Sequence, residues 1–205
     1  MLTLAELEQI VRDGRESTAI EFKGVGSFGN PGLRAQVVRG AMGLSNARDG
    51  GLLIIGMVPD EARPGFWTAS GLNHEQASSF EPDAVSEQVN SHVSPFLDLT
   101  TGRFDLSDGK CLVVVQIAQF ADYPSLCTKD VIGDSNRTVV RKGALLVRSR
   151  RKPETTEIQS PDDLRHLVDL ATELAIARNA RLRSIESTAT GEDSAALFRT
   201  QLGDF

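Results

Sequence analysis

The chain has 205 residues, of which 40% are hydrophobic and 24% charged, a composition typical of one globular domain with a buried core. No stretch approaches the roughly 20 apolar residues of a membrane span, and the N-terminus carries no signal pattern, so we expect a cytoplasmic protein without a membrane partner. Cys111 and Cys127 lack the spacing of a zinc site or a disulfide framework. The net charge of -6 argues against indiscriminate coating of nucleic acid.

The first predicted element is an amphipathic helix over Thr3–Asp13. Its apolar positions recur every three or four residues, Thr3 and Glu6 form a capping pattern, and Gly14 ends it. A short strand follows.

That strand lies within Glu16–Lys23, where apolar and polar residues alternate. Side chains two apart on a strand share a face, so Glu21 and Lys23 project together, with Glu16 at the entrance to the strand. Two carboxylates and an ammonium can hold a hard divalent cation and a phosphate. The alternative is an edge strand with a solvated Glu/Lys pair.

A glycine-rich loop leads to a second predicted helix, which begins at Asn30 and Pro31 and stops near Asn46. The continuous apolar run Leu52–Met57 is typical of a strand covered on both faces. Asp60 and Glu61 follow it, and the end of a central strand is a common place for a catalytic acid. We therefore expect an α+β fold in which helices pack on a mixed sheet.

The C-terminal half predicts further helices and hairpins. A third helix is expected over Pro82–Ser94, and a hairpin joins Phe96–Leu106 to Lys110–Ala118. A second hairpin pairs Thr138–Arg141 with Ala144–Arg148 around Lys142 and Gly143. A long helix begins near Ser160. We expect a domain over residues 1–183 and a flexible or partner-dependent tail over 184–205.

Basic residues are concentrated around the second hairpin. Seven of the 22 lysines and arginines fall between positions 137 and 152, where no acidic residue occurs. They are Arg137, Arg141, Lys142, Arg148, Arg150, Arg151 and Lys152. Such a cluster on an acidic chain indicates a localised anion-binding surface. The alternative is a solvated hairpin that improves solubility.

Taken together, these segments resemble the Schlafen-type AlbA domain, a family found in bacterial regulators and defence proteins. The resemblance covers roughly residues 1–180, and four segments match in order: Glu16–Lys23 with its Glu-Phe-Lys, Ala41–Gly56, Lys110–Ala118, and the hairpin from Val140 to Ser149. Asn-x-x-x-Gly-Gly-x-Leu-x-Ile-Gly within the second segment is fairly specific in combination with Glu-Phe-Lys.

The resemblance implies a metal-dependent nuclease that acts on RNA such as transfer RNA rather than on DNA. Glu16 and Glu21 fall on the two glutamate positions of the family, and Asp60, displaced by a residue or so, is the expected third acid, with Glu61 as fallback. These carboxylates would bind Mg²⁺ or Mn²⁺, and Lys23 would orient water or neutralise a phosphate oxygen.

In this interpretation, basic side chains grip the nucleic-acid backbone without reading bases. The residues assigned to this role are Arg141, Lys142, Arg148, Arg150, Arg151 and Lys152. One alternative is a binding module without chemistry, often a dimer, in which the acids are structural. Another is an adaptor whose last helix and tail bind a partner protein. A homodimer is compatible with all three.

Overall fold

The computed structural model describes residues 2–149 and 153–202, with side chains described up to residue 182. The fold is α+β, as predicted, with helices packed on a mixed sheet. The helices are α1 Leu4–Asp13, α2 Pro31–Ser45, α3 His74–Ser78, α4 Pro82–Asn90 and α5 Pro161–Leu202. The strands are β1 Ile20–Lys23, β2 Gly51–Ile55, β3 Met57–Pro59, β4 Trp67–Ala69, β5 Val93–Ser94, β6 Leu99–Asp105, β7 Cys111–Ile117, β8 Leu126–Cys127, β9 Val131–Ile132, β10 Thr138–Val140, β11 Leu146–Arg148 and β12 Thr155–Glu157.

The central sheet has the strand order β1-β2-β7-β6. β1 and β2 are parallel and connected through α2, and the other pairs are antiparallel. Along β2, Leu53 and Ile55 face the cluster that contains α2, whereas Ile54 faces the cluster that contains α1. Both faces are therefore covered, which explains why the sequence of β2 is continuously apolar.

Helix α2 is fixed at its N-terminus by two side chains. Asn30 accepts a hydrogen bond from the backbone N–H of Leu33 at 3.0 Å, and Asp134 accepts one from Gly32 at 2.9 Å. Gly40 and Gly43 permit close packing, because a Cβ there would lie 2.6 Å from Leu53 and 2.5 Å from Thr155. The helix is thereby pressed against β2 and β12, which positions the elements around β1.

Four small two-stranded sheets surround the central one, and they correct the predicted second hairpin. β10 pairs with β9 and β11 pairs with β12, so the turn at Lys142 and Gly143 joins two different sheets. The turn is held instead by Cys127 of β8: the N–H of Gly143 donates a hydrogen bond to the carbonyl of Cys127, and the N–H of Cys127 donates one to the carbonyl of Ala144. These hydrogen bonds engage the backbone of Ala144, the first residue of the Ala144–Arg148 segment that was expected to pair with β10.

Three further boundaries differ from the sequence prediction. α4 ends at Asn90, and β5 replaces its expected last turn; α3 falls in a stretch that was predicted as loop. α5 continues to Leu202 through the region expected as a flexible tail. Among the helices in the described part of the chain, none is both long and apolar enough to span a membrane.

Candidate functional site

Strand β1 carries the two predicted site residues Glu21 and Lys23 on one face. Phe22 between them is buried against α1 and Trp67, while Glu21 lies on the opposite face beneath Gly40 of α2. The Nζ atom of Lys23 donates a hydrogen bond to Oε1 of Glu21 at 2.5 Å. The predicted pair therefore exists, but it is buried rather than solvated.

Arg148 of β11 is the second cationic partner of Glu21. Its side chain is 1% exposed, and Nη1 donates to Oε2 of Glu21 at 2.7 Å. Thr155 Oγ1 donates to the same oxygen at 2.7 Å. With Lys23 on the other oxygen, the Glu21 carboxylate accepts three hydrogen bonds, one each from β1, β11 and β12.

The second Nη of Arg148 binds backbone. It donates to the carbonyl oxygens of Ser17 at 2.6 Å, Ile20 at 3.0 Å and Pro153 at 3.0 Å. Arg148 thus joins the start of β1 to the segment between β11 and β12. Its buried Nε has no hydrogen-bond partner among the residues that the structure describes.

Electrostatics keep this ion pair charged. Burial raises the pKa of Glu21, but the charges of Lys23 and Arg148 and the hydrogen bonds from Lys23 and Thr155 outweigh it, so the pKa is lowered. Burial lowers the pKa of Arg148, against the opposing effect of Glu21. A guanidinium stays protonated in proteins despite such a shift, so both partners are ionised at neutral pH.

Glu16 lies at the edge of this cluster. Its Oε1 accepts a hydrogen bond from the backbone N–H of Phe22 at 2.8 Å. Burial raises the pKa of Glu16, although that hydrogen bond and the charge of Arg148 act to lower it. The structure therefore brings Glu16, Glu21 and Lys23 into one neighbourhood, as the sequence predicted.

Asp60 is engaged elsewhere. It follows β3 and closes a local turn, in which its carboxylate accepts hydrogen bonds from Arg63 Nε at 2.7 Å and from the N–H of Ala62 at 3.0 Å. The hydrogen bond from Arg63 holds the pKa of Asp60 below its usual value. The neighbouring Glu61 is exposed.

Whether Glu16, Glu21 and Asp60 bind a metal ion together stays a prediction, and the structure shows which other groups they contact. Among the side chains of residues 2–149 and 153–182, no group of three or more His, Cys, Asp or Glu is placed to hold a metal ion. The oxygens of Glu21 are already occupied by Lys23, Arg148 and Thr155. Three of the roughly four acceptor positions of this carboxylate are therefore taken, two of them by the cationic donors Lys23 and Arg148.

The six residues assigned to nucleic-acid binding divide into three groups. Arg141 and Lys142 are exposed, as that role requires. Arg148 is buried against Glu21, so its guanidinium is not on the surface where it was expected. Arg150, Arg151 and Lys152 lie outside the described residues.

Asn46, just after α2, is a structural residue to which the sequence pattern assigned no role. Its Nδ2 donates to the carbonyl oxygens of Ser125 at 3.0 Å and Leu146 at 2.8 Å, and its Oδ1 accepts from the N–H of Ser125 at 2.7 Å. Asn46 therefore links α2 to β8 and β11. The sequence feature that could have pointed to Asn46 is its position as the first residue of the Asn-x-x-x-Gly-Gly pattern.

Comparison with known proteins gives limited similarity. No protein-family model and no curated protein matches the chain. One similar solved structure is the DIP2311 protein of Corynebacterium diphtheriae, with a TM-score of 0.47, 16% identity and 80% of this chain covered. The aligned part spans 27% of that longer chain.

A second similar structure is the N-terminal domain of a protein from Nitrosomonas europaea described as related to the ATP-dependent DNA helicase RecG. Its TM-score is 0.41 at 19% identity, and the alignment covers 79% of this chain and 92% of that one. Membership of the Schlafen-type AlbA family remains a prediction from the sequence motifs.

Proposed function

We propose that this protein is a nucleic-acid-binding domain that contacts the phosphate backbone through Arg141 and Lys142. The observation that carries the proposal is that this basic turn is exposed and its backbone is fixed. The N–H of Lys142 donates to Asp130 Oδ1 at 2.7 Å, and the N–H of Gly143 donates to the carbonyl of Cys127 at 2.8 Å. Fixed cations on an otherwise acidic protein favour local contacts with a polyanion.

The buried ion pair supports this assignment. Glu21 and Arg148 hold the end of β11 against β1, and in the sequence Ser149 is followed directly by Arg150, Arg151 and Lys152. Both Arg148 and Thr155, which flank that basic segment in the chain, hydrogen-bond to Glu21. A structural Glu21 accordingly favours the binding module over the nuclease.

Changing both Arg141 and Lys142 to serine is expected to weaken binding of single-stranded and duplex nucleic acid. The slope of log K against log salt should fall by roughly 1 to 2, because about one counterion is released for each phosphate contact. Fluorescence anisotropy over a salt series measures both quantities. The control, Arg12→Ser with Arg165→Ser, removes the same charge from exposed sites on α1 and α5. Equal slopes for the two double variants would contradict the proposal.

The second candidate is a nuclease that uses Mg²⁺ or Mn²⁺ and acts on RNA, such as transfer RNA, in preference to DNA. The observation that favours it is the grouping of Glu16, Glu21 and Lys23 around β1. The engagement of Asp60 by Arg63 stands against it. A homodimer, a protein partner for the C-terminal helix and tail, and a role in bacterial defence remain predictions.

Incubation with transfer RNA, single-stranded RNA and DNA in Mg²⁺ or Mn²⁺ separates the two candidates. Glu16→Gln is the informative variant, because its amide oxygen can still accept the hydrogen bond from Phe22. The nuclease candidate predicts metal-dependent fragments that disappear in the variant. Binding by both proteins with no fragments from either would reject it.

A further inference from the structure

Phe96 is an exposed aromatic residue just after β5, a strand that is linked through β8 to the basic turn. It exposes 74% of its surface, whereas the adjacent Leu97 is 2% exposed and belongs to the main core. The fold therefore fixes the backbone at this point while leaving the phenyl ring in solvent. Large aromatic side chains held in this way are characteristic of interaction surfaces.

Backbone pairing connects β5, which ends two residues before Phe96, to the basic turn through β8. Ser94, the last residue of β5, pairs with Leu126 of β8. Next to Leu126, the N–H of Cys127 donates to the carbonyl of Ala144 at 3.0 Å. Neighbouring strands lie about 5 Å apart. The backbone of β5 is therefore separated from the turn by two such distances, one from β5 to β8 and one from β8 to the turn.

Basic residues lie on the β8 side of Phe96, and an acidic residue follows it in the chain. Arg141 and Lys142 lie on the β8 side, and Lys129, two residues beyond Cys127, is also exposed. Asp98 is exposed two residues beyond Phe96 and would repel a phosphate there. Asp130 is also exposed and accepts a hydrogen bond from the backbone N–H of Lys142, but the three cations Lys129, Arg141 and Lys142 outnumber it. An anionic chain that touches Phe96 is therefore directed toward the basic turn.

We propose that the occupant of this surface is single-stranded nucleic acid, with one base stacked on Phe96 and the neighbouring phosphates on Arg141 and Lys142. The inference rests on the proposed function and specifies its substrate class. A duplex conceals the faces of its bases, whereas a single strand presents them, and stacking on an aromatic ring tolerates any base. Leu126, 41% exposed on β8, extends the apolar surface beside the ring.

The test compares Phe96→Ala with Leu4→Ala, which truncates a 42% exposed side chain on α1, across the central sheet. Phe96→Ala is expected to weaken binding of a single-stranded oligonucleotide by roughly 5- to 100-fold and to leave duplex binding within about twofold. Leu4→Ala should change neither. Anisotropy measures the affinities, and sedimentation measures the oligomeric state of each protein.

Phe96→Trp adds a direct probe of stacking. Trp67 packs against Phe22 on the other face of the sheet, so wild-type protein supplies the background signal. Oligonucleotide should quench the fluorescence of the variant more than that of the wild type.

Each contrary outcome has a distinct meaning. If the wild type binds strands and duplexes but Phe96→Ala binds both unchanged and Phe96→Trp shows no added quenching, the stacking inference fails while the proposed function stands. Loss of a dimer in Phe96→Ala without loss of binding would assign the surface to a second copy of the chain and overturn the inference. If the wild type binds no nucleic acid, both proposals fail.

Discussion

Arg148→Met is expected to lower the free energy of unfolding by about 3–5 kcal/mol, a large share of the 5–15 kcal/mol typical of a domain. The substitution leaves Glu21 buried and ionised with Lys23 as its remaining cationic partner, and it removes the donors to the carbonyls of Ser17, Ile20 and Pro153. Removing one partner of a buried charge costs more than the net contribution of the ion pair itself. Chemical denaturation followed by circular dichroism measures the change.

Arg178→Met is the matched control. Arg178 pairs with Asp122 across the surface, and both side chains are about half exposed, so its loss should cost less than about 1 kcal/mol. Glu21→Met combined with Arg148→Met should recover part of the stability lost in Arg148→Met, because both charges of the buried pair are gone and only Lys23, whose side chain is 14% exposed, loses its partner. Equal destabilisation by Arg148→Met and Arg178→Met would refute a structural role for the buried pair.

The same pair sets a pH dependence. The folded-state pKa of Glu21 lies below its unfolded value, so the stability it contributes is present above the unfolded pKa and is lost as pH falls through the folded pKa. Glu21→Gln removes this contribution. The wild type should therefore lose more stability than Glu21→Gln on acidification below pH 4.5, which denaturation at several pH values would reveal.

Local signals in the sequence were sufficient for the framework of the fold. The capping pattern at Thr3 and the pair Asn30 and Pro31 fixed two helix starts, because capping depends on residues within one turn. The apolar run after Gly51 identified the central strand. Alternation along β1 placed Glu21 and Lys23 on the same face, where the structure has them.

Long-range pairing was not accessible from such signals. Arg148 lies 127 positions from its partner Glu21, so the sequence gives no local sign of their contact. A run of basic residues predicts a single exposed surface, although one member of this run, Arg148, is buried. The turn at Lys142 and Gly143 has residues typical of a hairpin turn, yet its backbone forms hydrogen bonds with Cys127 of the earlier strand β8. In both cases a tertiary contact overrides the local pattern, and it separates the exposed Arg141 and Lys142 from Arg148.

The same limitation concealed Asn46, and Asn46→Ala is expected to lower the free energy of unfolding by at least about 3 kcal/mol. The change leaves three buried backbone groups without a partner, namely the N–H and carbonyl of Ser125 and the carbonyl of Leu146, and each such group costs about 1–3 kcal/mol. Asn179→Ala is the control; it alters an exposed position of α5 and should be neutral or slightly stabilising.

Hydrogen exchange locates the effect of Asn46→Ala. Because Asn46 holds β8 and β11 to the end of α2, exchange should accelerate in Leu126–Cys127 and Leu146–Arg148 before it does so in β2. The basic turn is attached to both of these segments through Cys127 and Ala144. Loosening them should weaken nucleic-acid binding under conditions in which the central sheet stays protected. Uniform acceleration throughout the sheet would instead show that Asn46 supports the whole core and does not specifically position the binding surface.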